Sequence, residues 1–147
     1  MRNGDDWFER ERLHRAAAAG NVEEIARLVT AGFSLDLFDD LSYTPLHYAI
    51  SDEQYKAAQL LIELGANVNA HEDEKIGETP LSIASTGNYP EIAELLLQNG
   101  ADPDINGWMG LTARDRAKNR KDEDGQKITD LMQQYTLRKH KKRGRAV

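Results

Sequence analysis

Thr44-Pro45-Leu46-His47-Tyr48-Ala49 returns 35 residues later as Thr79-Pro80-Leu81-Ser82-Ile83-Ala84. After 33 more residues it returns again, worn down, as Thr112-Ala113-Arg114-Asp115-Arg116-Ala117. A second landmark keeps step with the first: Ala31-Gly32, then Leu64-Gly65-Ala66-Asn67, then Asn99-Gly100-Ala101-Asp102. Upstream, Leu13-His14-Arg15-Ala16 stands 33 residues before Leu46-His47-Tyr48-Ala49, which marks a first unit with Glu11-Arg12 in place of Thr-Pro. Self-similarity at a fixed period of this length is the mark of a stacked-repeat architecture.

Each unit reads as helix, turn, helix, loop. Thr44 and Thr79 are suited to cap a helix with their hydroxyls, and Pro45 and Pro80 to its first position, where no N–H bond is needed. A short helix follows, predicted to end near Gly20, Glu53 or Asn88. The second helix carries apolar residues at helical spacing: Ile25, Leu28 and Val29; Ala57, Leu60, Leu61 and Leu64; Ile92, Leu95 and Leu96. Gly32, Gly65 and Gly100 fall where a left-handed cap would stop it.

These motifs resemble the ankyrin repeat family, over about Leu13 to Tyr135. The resemblance implies an all-α solenoid of stacked antiparallel helix pairs with hairpin-like loops projecting at one edge. Repeats are placed near 8–36, 37–70, 71–105 and 106–137, forming one domain over 1–137. No repeat buries its apolar face alone, so stability comes from neighbours. Both terminal units are more polar than the middle ones, as capping units should be: Glu11-Arg12 replaces Thr-Pro, and Arg114 replaces the core Leu. An insertion, Asn119 to Lys127, is expected to delay the last helix to about Ile128–Tyr135, with Ile128, Leu131 and Met132 facing inward. The segment 138–147 has no apolar periodicity and is expected to be a frayed, basic tail.

The chain has 147 residues, 39% hydrophobic and 30% charged, which suits one soluble globular domain. No apolar run is long enough to span a membrane, and the start lacks the apolar core of a secretory signal. There is no cysteine, so neither disulfides nor thiolate chemistry arise. A cytoplasmic location is expected, with the nucleus open to a eukaryotic host. The net charge of −6 is uneven: the last ten residues hold six Lys or Arg, which leaves 13 basic against 25 acidic residues, −12, in 1–137. An acidic body disfavours nucleic acid and anionic membranes and favours a basic partner.

No catalytic constellation emerges. His47 and His14 occupy a position that, in the resembling family, hydrogen-bonds within and between repeats. No histidine pair has metal-ligand spacing, and there is no glycine-rich phosphate loop. The carboxylates lack a shaped pocket. No enzyme, metal or cofactor is expected.

Binding is expected on the concave side that the resemblance implies, at loop tips and exposed residues of each first helix. Three residues before each Thr stand Leu41, Ile76 and Met109, an apolar row where the family normally places polar residues. Trp108 and Tyr43 lie beside it, of types enriched in binding hot spots. The alternative is that these side chains fold back and brace the loops. Acids flank the row: Asp36, Asp39 and Asp40 in one loop, Glu72, Asp73 and Glu74 in the next. Ser51 and Asp52, at the end of a first helix, complete the candidate surface.

The functional expectation is a monomeric protein-interaction module, an adaptor or inhibitor, taking a basic protein partner along the loop edge. An immunity or antitoxin protein covering a nuclease-like toxin is one alternative. Another is association with nucleic acid through Arg138 to Arg145 alone.

Overall fold

The computed structural model describes residues 6–74 and 77–145, with side chains over 7–139 of these ranges. It is all-helical, with no strand among the described residues. A short α1 (Asp6–Arg10) leads into four helix pairs: α2 (Arg12–Ala19) with α3 (Val22–Thr30), and α4 (Pro45–Ser51) with α5 (Tyr55–Glu63). The next are α6 (Pro80–Ala84) with α7 (Pro90–Gln98), and α8 (Ala113–Lys118) with α9 (Glu123–Arg145). First helices α2, α4, α6 and α8 pack in chain order as an inner row, and each also packs on its own second helix. The core runs between the two rows as one apolar seam that includes Leu13, Leu46, Leu61, Leu81, Leu96 and Ile128, each essentially sealed from solvent.

Local chemistry sets these elements. The hydroxyls of Thr44, Thr79 and Thr112 accept the amides of His47, Ser82 and Asp115, and Pro45 and Pro80 open their helices. Gly32, Gly65 and Gly100 have φ of 102°, 108° and 92°, so the chain leaves each second helix through a left-handed residue. The first helices end at Ala19, Ser51 and Ala84, so the third is shorter than the sequence suggests.

The C-terminal unit departs from expectation. α9 begins at Glu123 rather than Ile128, so most of the apparent insertion is its first turn. Asp122 accepts the Gly125 amide at 3.1 Å, and Arg120 reaches back to the carbonyls of Ser85 (2.9 Å) and Gly87 (2.5 Å), which tightens the turn. Nor does the chain fray after Leu137: α9 continues to Arg145. Once Ile128 and Met132 anchor the helix, each added residue closes one more hydrogen bond. Lys and Arg are good helix formers and suit the negative end of the dipole.

Candidate functional site

Three fingers project between the helix pairs, and each turns on a left-handed residue two positions before its capping Thr. These are Ser42 (φ 64°), Gly77 (φ 63°) and Gly110 (φ 72°). In the first finger the Asp39 amide donates to the Tyr43 carbonyl at 2.9 Å and Ser42 donates to Asp39 at 3.0 Å. The third repeats this with Gly107 to Leu111 at 2.8 Å and Gly110 to Gly107 at 3.0 Å. The third adds a second left-handed residue, Met109 (φ 60°), beside Trp108 in a 3-10 turn (Trp108–Gly110).

Asp39 holds the first finger together. Its Oδ1 accepts the amides of Leu41 (2.9 Å) and Tyr43 (3.0 Å), and its Oδ2 accepts the Tyr48 hydroxyl. Burial, and then that carboxylate, hold the Tyr48 hydroxyl protonated well above the usual phenol range. Asp36 is also engaged, accepting the Asn67 amide of the next loop at 2.9 Å. Of the three acids here, Asp36 and Asp40 are exposed and Asp39 is half-buried. Tyr43 stacks on His47 with centroids 5.1 Å apart and planes 8° from parallel, which makes it a half-buried brace.

His47 ties the first finger to the second. It is fully buried; its Nδ1 accepts the Thr44 amide at 3.0 Å, and Nε2 donates to the Glu78 carbonyl at 2.6 Å. Burial lowers its pKa to about 4, against the raising effect of the Glu78 carbonyl, so it is neutral at pH 7.

The second finger's tip is not described at Lys75 and Ile76, so the middle member of the apolar row lies outside the described residues. Asp73 and Glu74 are exposed and Glu72 half-buried, with Asp73 2.6 Å from His71. The same finger supplies Glu78, whose carboxylate gathers three donors. These are the Trp108 amide (3.0 Å), Arg116 Nη2 (3.0 Å) and Ser82 Oγ (2.6 Å). Gly107 permits this approach, since a Cβ there would stand 2.8 Å from Glu78 Oε1.

At the tips, Leu41 is 66% exposed, Trp108 53% and Met109 75%. Below them a groove of about 350 Å³ runs between the fingers and inner helices, lined by Tyr43, Ser51, Glu78, Ser82, Ile83, Thr86, Trp108 and Arg116. It unites Tyr43, Ser51 and Trp108 from the sequence candidates. Asp39, Asp40, Leu41, Asp52, Glu72, Asp73, Glu74 and Met109 lie outside its lining. Sequence reasoning missed Glu78 and Arg116 as site residues. The available signal was a lone acid before Thr79, where the other two fingers have Tyr43 and Leu111. Among the described residues no group of His, Cys, Asp or Glu is arranged to hold a metal ion, and no helix is long and apolar enough to cross a membrane.

Residues 13–107 match a family model described as ankyrin repeats, three copies. A putative ankyrin repeat-containing protein of Treponema pallidum is 36% identical over 122 residues, 83% of this chain and 40% of the relative. A BTB/POZ domain and ankyrin repeat-containing protein of Oryza sativa subsp. japonica is 33% identical over 111 residues, 76% of this chain and 21% of the relative. Protein phosphatase 1 regulatory subunit 27 of Mus musculus is 35% identical over 86 residues, 58% of this chain and 54% of the relative. The matches therefore span no more than about half the length of these relatives.

Proposed function

The chain belongs to the ankyrin-repeat family, whose members are generally non-enzymatic protein-interaction modules, and we propose that it docks a basic protein partner along its finger edge as an adaptor or inhibitor. One observation carries this reading: Leu41, Trp108 and Met109 stand in solvent on fingers that hydrogen bonds hold rigid. Large apolar side chains kept exposed on a fixed backbone are suited to fill pockets of a partner. Exposed Asp40, Asp73 and Glu74 flank them, which favours a basic surface and fast, salt-sensitive encounter. A toxin bearing a basic active site is one partner of this kind, which keeps the immunity-protein reading within the same proposal. The cytoplasm is the proposed compartment.

The test starts from capture of the partner from the native host, identified by mass spectrometry. Trp108→Ala should weaken its binding by about 2 kcal/mol, roughly thirtyfold, mostly through faster dissociation. Lys at Asp40, Asp73 and Glu74 together should slow association and flatten its salt dependence. Asp39 is left intact, because it holds the loop. A Trp108→Ala protein that melts and binds like the parent would place the binding face elsewhere.

A further inference from the structure

The first repeat starts differently from the second, and a buried atom is left without a partner. In the second, Thr44 is extended (φ −92°, ψ 170°), and its amide donates to His47 Nδ1 at 3.0 Å. Thr44 Oγ1 lies 2.8 Å from the same nitrogen. His14 makes the corresponding outward bond, with Nε2 2.7 Å from the Leu37 carbonyl. That places its proton on Nε2 and leaves Nδ1 an acceptor. Nδ1 has no partner, in a residue only 3% exposed. The amide that would serve it belongs to Glu11, and it donates to the Trp7 carbonyl at 3.0 Å instead. Glu11 sits at φ −98°, ψ 18°, where α1 runs on into α2.

One amide thus has two acceptors within reach of a local backbone change. We infer that α1 is a displaceable arm. Docked, it closes the Glu11 amide onto Trp7 and strands His14. Released, it lets Glu11 extend and start α2 as Thr44 starts α4, with its amide on His14 Nδ1. Little opposes release. Trp7 and Phe8 are half-exposed, and they meet each other edge-on at 5.7 Å. Phe8 lies 3.7 Å under the Arg15 guanidinium, and Glu9 is 3.5 Å from Arg12. Release gives up these surface contacts and satisfies a buried acceptor, the kind of group that folded proteins rarely leave unpaired. The buried contacts of Leu13 and Ala17 stay in place. The first repeat therefore carries an arm with two aromatic side chains that leaves and rejoins it without unfolding.

Hydrogen exchange on the parent protein tests the opening: the Glu11 amide should exchange at least about tenfold faster than those of Ala16 and Ala17. Equal protection would overturn the proposal. Glu11→Thr alone, and with Arg12→Pro, rebuilds the start of the second repeat, since proline pushes the residue before it into extended conformation. In a Trp108→Phe background, both variants should shift Trp7 emission to the red. They should also move the His14 Nδ1 nitrogen resonance toward that of His47. Neither moving would make α1 a fixed cap, and Trp7 moving while His14 does not would overturn the exchange of the Glu11 amide between the two acceptors.

Discussion

The first and third fingers share one hydrogen-bonded ladder yet are held by different carboxylates. Asp39 braces the first from inside, accepting two amides of its own tip and the Tyr48 hydroxyl. The third has Gly107 at the equivalent place, and the bracing group is Glu78, reaching across from the second finger. A self-braced finger keeps its shape whatever its neighbour does. A cross-braced finger reports the spacing between repeats, so Trp108 stands where it does only while the second and third fingers hold register.

The largest effect should come from beneath both fingers. Leu46→Ala and Leu81→Ala each remove a sealed core side chain and should cost about 2–5 kcal/mol in denaturant unfolding. Losses below about 1 kcal/mol at both would mean that the fingers do not depend on the inner-helix seam.

Acid should act next, through the link between the first two fingers. His47 is neutral when folded, with its pKa lowered to about 4 from an ordinary 6.5, so below pH 6.5 the unfolded chain binds the extra proton. The stability it contributes is complete above pH 6.5 and is lost as pH falls toward 4, on the order of 3 kcal/mol in all. Protonation also removes the acceptor for the Thr44 amide. A pH series of unfolding midpoints showing no decline between 6.5 and 4 that is specific to His47, by comparison with His47→Gln, would refute this.

The contrast itself is tested by two truncations, each expected to cost about 1–3 kcal/mol by leaving polar groups unpaired. Asp39→Ala should speed exchange of the Leu41 and Tyr43 amides and leave Trp108 protected. Glu78→Ala should do the reverse, and it strands Arg116, whose Nε is already buried without a partner. Equal loosening of both tips by either variant would erase the distinction.

The smallest effect should follow deletion of residues 138–147, at under about 1 kcal/mol. The described loss is the Arg138 guanidinium 5.0 Å from the Tyr135 ring, an exposed contact. A drop of many degrees in melting temperature would show the end of α9 to be packed on the solenoid.

Sequence by itself determined the repeat, the capping threonines, the helix-stopping glycines and the inward leucines, because each depends on residues close in the chain or on the period. It also located the tips of the fingers. Which tip residues brace and which face outward was settled only by the tertiary structure. Tyr43 and Trp108 look alike as aromatic neighbours of one row, yet Tyr43 stacks on His47 while Trp108 stands half in solvent. Asp39 and Asp40 are adjacent in sequence, and only one turns its carboxylate into the loop. Glu78 and Arg116 meet at 3.0 Å across 38 residues. Such pairings depend on where stacked repeats bring distant atoms, and no local propensity or spacing rule encodes that distance.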